Sequence, residues 1–191
     1  MKIFHLSDHL PNYHANCGGA EQVAWRYIKL LSDSGKIDLR VGITKSTRSN
    51  LQPGPTSNQV QPRRVGVIED FFPKRFQIYV TGLKNRILSF DPLAFFHLLL
   101  LFGKEKPEIV HLHKTNKISL AAILAAKISG AKTVLGIYDY WYLCPGGMLV
   151  DQKGNLCQKF HGPWCQNCDA VPDFRFLLPL VSPFRRPIFD F

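Results

Sequence analysis

The residues whose types and spacing could support chemistry begin with two adjacent glycines, Gly18 and Gly19, which precede Glu21 and a strongly helix-patterned segment. Glycines between a strand and a helix let the backbone approach a ligand, and the N–H groups at a helix start attract phosphate. The alternative is a tight turn that requires positive φ at glycine. The stretch therefore predicts either a phosphate-binding loop or a structural turn.

Two histidines alternate about Leu112 in a short apolar run. On a strand, His111 and His113 would share one face, and His113 would lie near the end where ligands bind. There it could donate to a sugar hydroxyl or a phosphate. Asp139 follows the next predicted strand and could act as a base or accept from a hydroxyl. A structural hydrogen-bonding role is the alternative for both residues.

Four cysteines lie inside 25 residues with the spacing C-x12-C-x7-C-x2-C. They are Cys144, Cys157, Cys165 and Cys168. The spacing suits a tetrahedral zinc site that would order an excursion with little apolar core, and His161 could replace one cysteine. Two disulfides or packed thiols are the alternatives. The fifth cysteine, Cys17, stands beside the predicted helix start, where its thiolate would be stabilised. A nucleophile is conceivable, but packing or chance is the better interpretation because no paired base can be assigned.

These residues must be positioned by alternating strands and helices. Apolar runs predict strands at Lys2–Ser7, Leu39–Thr44, Val65–Ile68, Ile109–Leu112 and Thr133–Tyr138. Helical spacing predicts helices from Ala20 to a stop at Gly35, over Phe71–Leu88, over Asp91–Lys104 with Asp91 and Pro92 as N-cap and N1, and over Ser119–Ser129 before Gly130. The alternation indicates an α/β, Rossmann-like, doubly wound parallel sheet with a cysteine-rich hairpin insertion at 144–168. In such sheets ligands bind beyond the carboxyl ends of the strands, where the glycines, His113 and Asp139 would fall.

Composition limits the class of protein and its partners. The chain has 191 residues, 46% of them hydrophobic and 20% charged, which is typical of a folded domain and unlike a disordered chain. The formal net charge of +10 favours anionic partners. The first 14 residues lack the apolar core of a secretory signal, which predicts a cytoplasmic location. The longest apolar run, Leu93–Phe102, is shorter than the roughly 20 residues that span a bilayer, so we expect a buried helix or one that touches the inner membrane face.

Three stretches together carry a resemblance to a known family. They are GGAE (Gly18–Glu21), KPEIVHLHKTN (Lys106–Asn116) and DYWYLCPGGMLVDQKGNLC (Asp139–Cys157). In order and spacing the chain resembles the N-terminal domain of family 4 glycosyltransferases, which are retaining enzymes built from two Rossmann-like domains in the GT-B arrangement. The third stretch looks like the cysteine-containing branch. The resemblance covers residues 1 to about 170.

The resemblance implies roles for several of these residues. Gly18, Gly19 and Glu21 would lie near the diphosphate of a nucleotide-diphosphate sugar donor or near the acceptor, and His113 would lie near the reacting sugar. Asp139 matches the aspartate of a frequent His-Asp-aromatic-Trp segment, but Tyr138 stands where that segment has histidine. The acceptor would be a sugar or a lipid-linked glycan.

The resemblance also implies a second, donor-binding domain with a glutamate pair spaced E-x7-E. Here Glu105 and Glu108 are the only glutamates after Glu69, and their spacing is wrong. Residues 171–191 are apolar and basic, unlike a finished surface terminus. We therefore expect a chain truncated before the donor-binding half, or one half of a split enzyme completed in cis or in trans.

Two alternatives to the enzyme are open. One is a zinc-containing module that binds polyanions through its net positive charge. The lysines and arginines are scattered instead of gathered with aromatic residues in one motif, which disfavours nucleic acid as the partner. The other is an inactive glycosyltransferase remnant.

Overall fold

The computed structural model describes residues 1–11, 13–14, 17–44, 62–84, 90–140, 144, 148–151 and 153–157. The chain divides into two compact units. The first comprises Met1–Pro73 and Phe90–Tyr138, and the second comprises Lys74–Ser89 and Asp139–Phe191. All five strands described below belong to the first unit.

The first unit is built on a parallel sheet. Its strands are β1 (Lys2–Ser7), β2 (Asp38–Thr44), β3 (Arg63–Val65), β4 (Ile109–Leu112) and β5 (Lys132–Leu135). Every pairing is parallel, and the strand order is β3-β2-β1-β4-β5. The predicted α/β class with a parallel sheet is therefore confirmed. The order reverses between β1 and β4, and this is the position in open parallel sheets where ligands bind.

Helices cover both faces of this sheet. They are α1 (Gly19–Asp33), α3 (Pro92–Glu105) and α4 (Ala121–Ile128). A short 3-10 helix at Ile68–Phe71 also belongs to the first unit. The remaining helix, α2 (Lys74–Leu83), belongs to the second unit. Helices on opposite faces are the arrangement expected of a doubly wound sheet.

Successive side chains of the strands point to opposite faces of the sheet, so the first unit has two apolar cores. Phe4 and Leu6 of β1 pack with α3 and α4, and the Phe4 ring meets the Phe102 ring edge-on with 5.2 Å between centroids. On the other face Ala24 and Ile28 of α1 pack against β2. Burying each large side chain of this kind contributes about 1.5–3 kcal/mol. His5 lies between Phe4 and Leu6 in sequence, so it faces the α1 side.

The helix boundaries follow local signals that were visible in the sequence. Asp91 is the N-cap of α3 and its carboxylate accepts from the Ala94 N–H at 2.8 Å, with Pro92 at the first helical position. Gly35 and Gly130 follow α1 and α4 with φ of 64° and 78°, a conformation that favours glycine. These predicted helix ends are confirmed.

Three predicted elements differ from the structure by three residues at one end, and the helix predicted from Ser119 begins at Ala121. The strand expected at Val65–Ile68 is β3 at Arg63–Val65, and Ile68 begins the 3-10 helix instead. Two structural contacts explain this: Asp91 accepts from the Ile68 N–H, and His97 accepts from the Gly66 N–H. The strand expected to reach Tyr138 ends at Leu135, and α2 begins at Lys74 instead of Phe71.

None of the described helices is long and apolar enough to cross a membrane. The most apolar candidate in the sequence lies in α3, which has 14 residues. About 20 residues are needed to span the hydrocarbon core.

Within the second unit, a short antiparallel turn occupies part of the cysteine-rich segment. Val150 bridges Leu156, and the Asp151 carboxylate accepts from the N–H groups of Lys153 and Asn155 at 2.8 Å each. This turn lies in the stretch that the sequence marked as hairpin-like. Cys165 and Cys168 lie outside the described residues.

Candidate functional site

Helix α1 starts at the glycine pair with an open approach to its first turn. Gly18 is the N-cap in an extended conformation, with φ −88° and ψ −168°, and Gly19 is the first helical residue. Neither glycine has positive φ, so the alternative of a turn that needs such a conformation is wrong. A Cβ built on Gly19 would meet no heavy atom within 4 Å. The glycine therefore leaves space beside the N–H groups of a helix start, where an anion is favoured.

Glu21 holds this helix start in place. Its Oε2 accepts from the Gly18 N–H at 2.9 Å, and its Oε1 lies 3.4 Å from Lys114 Nζ. The Glu21 side chain is buried. It therefore caps its own helix and ties α1 to the segment that follows β4. The prediction that Glu21 contacts a donor sugar stays a prediction.

Asp8 links the end of β1 to the same segment, and sequence reasoning missed it. Its Oδ2 accepts from the Lys117 N–H at 2.7 Å, and its Oδ1 accepts from the Ile118 N–H at 3.2 Å. The Asp8 N–H in turn donates to the Lys114 carbonyl at 2.6 Å. An acidic residue directly after a buried strand was the available signal. Asp8 fixes the backbone from Lys114 to Ile118 at the carboxyl edge of the sheet.

The electrostatic environment at this edge is positive. The pKa of His9 is lowered to about 4, first by burial and then by the charge of Lys117, with Lys114 adding to the effect. Burial also lowers the pKa of His14, and Arg64 lowers it further. Both imidazoles are consequently neutral at pH 7. The charges of Lys114, Lys117 and Arg64 favour an anion here, whereas the charge of Glu21, which raises the pKa of His9, opposes one.

Cys17 is not an activated nucleophile. Burial raises the pKa of its thiol, and the charge of Glu21 raises it further. The thiol instead donates to the His14 carbonyl at 3.6 Å. The expectation that the helix start would stabilise its thiolate is therefore wrong, and the packing interpretation fits.

A second polar group lies on the α1 face of the sheet. His111 and His113 share that face as predicted, and their ring centroids are 4.1 Å apart. His5 of β1 joins them: its Nδ1 lies 2.9 Å from His113 Nε2. We call His5, His111 and His113 the histidine trio. Tyr27 of α1 meets both His5 and His111 edge-on, at 5.8 and 5.4 Å between centroids.

His113 is more enclosed than its predicted role implies. It is 1% exposed, and its Nδ1 lies 2.9 Å from the hydroxyl of Tyr138, so both of its nitrogens are bonded within the protein. Burial lowers the pKa of His113 to about 2 and that of His5 to about 3, with His111 the next cause for both. Direct donation to a sugar would require His113 to exchange one of these bonds. The prediction that it contacts the reacting sugar stays a prediction.

Tyr138, which stands where the resembling segment has histidine, contacts His113 through its hydroxyl. Tyr138 is 37% exposed as a residue, so it connects the enclosed His113 with the surface of the first unit. Burial raises the pKa of Tyr138, which keeps the phenol protonated and able to donate. Asp139 begins the second unit, and its predicted catalytic role stays a prediction.

The predicted metal ligands among the cysteines are described only in part. Cys144 is buried, with its N–H donating to the Tyr140 carbonyl at 2.7 Å, and Cys157 is half-buried, with its N–H donating to the Leu149 carbonyl at 2.8 Å. Because Cys165 and Cys168 lie outside the described residues, the four-cysteine zinc site stays a prediction.

Comparisons with known proteins do not identify a family for this chain. No model of a protein family matches the chain, no curated protein matches it, and no solved structure matches it. Functional inference therefore depends on the residues and contacts described above.

Proposed function

We propose that this chain contributes the acceptor-side, Rossmann-like domain of a GT-B glycosyltransferase that transfers a sugar, with retention, from a nucleotide-diphosphate donor to a glycan or lipid-linked acceptor. A donor-binding half, in cis or in trans, would complete the enzyme. The observation that carries the proposal is the open helix start at Gly19, where neither backbone conformation nor packing requires glycine.

The charges around that helix start support a diphosphate as the ligand. Lys114 and Lys117 act on His9 from the segment after β4, and Arg64 acts on His14. Lys114 is also paired with Glu21, so its charge is partly balanced. Helix N–H groups together with nearby cations are the combination that binds phosphate in many folds.

In a retaining transfer the protein chiefly positions the substrates and neutralises the charge of the leaving group. As the bond to the sugar breaks, negative charge grows on the diphosphate leaving group, and preorganised donors stabilise it. The α1 N–H groups and the lysines would act there, and Asp8 would hold the lysine-bearing segment in place. Tyr138 is the accessible hydroxyl beside His113 that could orient a sugar.

A membrane-bound acceptor fits one further feature. Phe96 and Leu100 are four residues apart on α3, hence on one side of it, and are 62% and 76% exposed. Aromatic and leucine side chains on one helix face, in a chain of net charge +10, are typical of helices that lie on an anionic bilayer. We propose this face as the contact with a membrane that carries a lipid-linked glycan.

The decisive experiment compares ligand binding by the parent chain and by Gly19→Ala. A methyl group at Gly19 needs no change in backbone conformation but occupies the open space. We expect calorimetry to show saturable binding of pyrophosphate, nucleoside diphosphates and nucleotide-diphosphate sugars, weakened at least about tenfold by Gly19→Ala. Gly103→Ala is the matched control, because Gly103 is also helical and its added Cβ would also meet nothing within 4 Å.

Two results would contradict the proposal. One is equal affinity of the parent and Gly19→Ala for every diphosphate. The other is a preference for heparin or single-stranded oligonucleotide with a steep salt dependence and no discrimination among small diphosphates, which would favour the polyanion-binding alternative. Transfer itself is then assayed with labelled nucleotide sugars and membranes, with and without a co-expressed donor-binding half.

A further inference from the structure

The β1–β4 seam contains a histidine cluster of which the glycosyltransferase proposal uses only His113, through its contact with Tyr138. Each of the histidine trio can offer one ring nitrogen such that all three nitrogens lie within 4.8 Å of one another. His5 and His113 are fully buried, and His111 is half-buried. Imidazole nitrogens are preferred ligands of zinc, copper, nickel and cobalt.

We propose that His5, His111 and His113 form a binding site for a divalent transition-metal ion of the zinc class. Three histidines with a fourth position left for water are a ligand set found in open zinc sites. The proposal does not depend on diphosphate binding at Gly19. It also differs from the predicted cysteine site, which lies in the second unit.

The distances are compatible with small adjustments of the rings. Zinc–nitrogen bonds of about 2.0–2.1 Å in a tetrahedron place the nitrogens about 3.3 Å apart. The His5 Nδ1 and His113 Nε2 atoms are 2.9 Å apart, and the trio spans at most 4.8 Å. An ion would take the place of the proton shared by His5 and His113, with ring movements on the order of 1 Å.

One contact of the trio resembles the outer contacts of metal-bound histidines. A histidine ligand usually has its other ring nitrogen bonded to a partner that fixes its orientation, and the Tyr138 hydroxyl lies 2.9 Å from His113 Nδ1. His111 is the most accessible residue of the trio, and its neighbour Tyr27 is also exposed, so an ion would enter on their side.

His5 is only partly satisfied by its bond to His113. One of its nitrogens bonds to His113, but its Nε2 is buried and has no hydrogen-bond partner among the described residues. Buried polar atoms in native proteins are nearly always satisfied by protein, water or an ion. An ion between His5 Nδ1 and His113 Nε2 would leave this Nε2 unchanged, so the proposal is carried by the distances within the trio.

The test uses the full chain without a histidine tag, stripped of metal with a chelator and titrated with Zn²⁺ and with Co²⁺. We expect one equivalent of metal to bind at the trio, apart from any ion held by the cysteines. The spectrum of Co²⁺ at the trio should lack thiolate-to-metal charge transfer. At a zinc concentration about 100 times Kd, Tm should rise by roughly 5–10 °C. His111→Asn should weaken this binding at least about 100-fold, because losing a ligand must cost no less than losing a partner of a ligand.

The matched control is His97→Asn, which removes an imidazole from α3 while asparagine can still accept from the Gly66 N–H. It should leave metal affinity unchanged. If His111→Asn fails to fold, His111→Phe retains the ring stacking with His113 and serves instead. The proposal is overturned if no ion binds saturably, or if all binding shows thiolate charge transfer and survives both His111 variants. Loss of diphosphate binding in Gly19→Ala would bear only on the glycosyltransferase proposal.

Discussion

Removing the Asp8 carboxylate should be among the most damaging single changes in the first unit. Asp8 is 4% exposed and accepts from two backbone N–H groups, those of Lys117 and Ile118. Asp8→Ala leaves both donors without this acceptor in a buried setting. Each such donor costs about 1–3 kcal/mol, so we expect a loss of about 2–6 kcal/mol in the free energy of unfolding. That is a large part of the 5–15 kcal/mol typical of a whole domain.

Asp8→Asn separates charge from hydrogen bonding. The amide keeps one acceptor oxygen but turns an NH2 group toward the other N–H donor, so we expect a smaller loss of about 1–3 kcal/mol. Urea unfolding followed by circular dichroism and by tryptophan fluorescence measures both variants. Asp33→Ala, at an exposed position in the last turn of α1, is the control and should stay within about 0.5 kcal/mol of the parent.

The result that would refute this reasoning is a loss below about 0.5 kcal/mol for Asp8→Ala with the two-state slope unchanged. It would mean that water or a backbone shift satisfies both N–H groups at little cost. A loss in the expected range, together with weakened diphosphate binding in Asp8→Asn, would instead link the fixed segment after β4 to the ligand site.

Three further predictions concern other parts of the first unit. Gly42→Ala should lower the free energy of unfolding by about 1–3 kcal/mol in the same urea assay, because the new Cβ would lie 2.8 Å from atoms of Phe4 and Leu6. Acidification from pH 6.5 to 5 should lower the free energy of unfolding of the parent by about 1 kcal/mol more than that of His9→Asn, after discounting for partial exposure. The reason is that the unfolded chain gains a proton on His9, whereas the half-buried His9 of the folded chain, with its pKa of about 4, does not; equal slopes of stability against pH would contradict this. Phe96→Glu should reduce flotation with anionic vesicles at least about tenfold while leaving diphosphate binding intact, and unchanged flotation would remove α3 as the membrane contact.

Some features of the fold were predictable because they depend on residues that are close together in the sequence. The bounds of β1 and β4 match their apolar runs, and the Asp91–Pro92 pair marks the start of α3. A capping carboxylate and its N–H partner lie three residues apart, so the printed sequence contains the whole interaction. The 3-10 helix was missed because its first N–H bonds to Asp91, 23 residues further along the chain.

The site was predictable only in part, because its contacts join distant residues. His111 and His113 share a face by strand alternation alone, but His5 reaches His113 across 108 residues. Asp8 reaches Ile118 across 110 residues. These pairs depend on which strands are neighbours and in what register, and a single sequence without an alignment carries no direct signal of that pairing.

The polar residues along the β1–β4 seam are unusual for strands buried on both faces. Such strands ordinarily read as nearly continuous apolar runs, because valine or isoleucine there contributes burial without requiring partners. On the α1 face this seam instead carries the histidine trio, and His5 retains a nitrogen without a partner among the described residues. A sheet selected for stability alone would gain by replacing these rings, since polar groups buried without full hydrogen bonding cost free energy. The proposed metal site would give the three imidazoles, at the point where the strand order reverses, a role that packing of the sheet does not require.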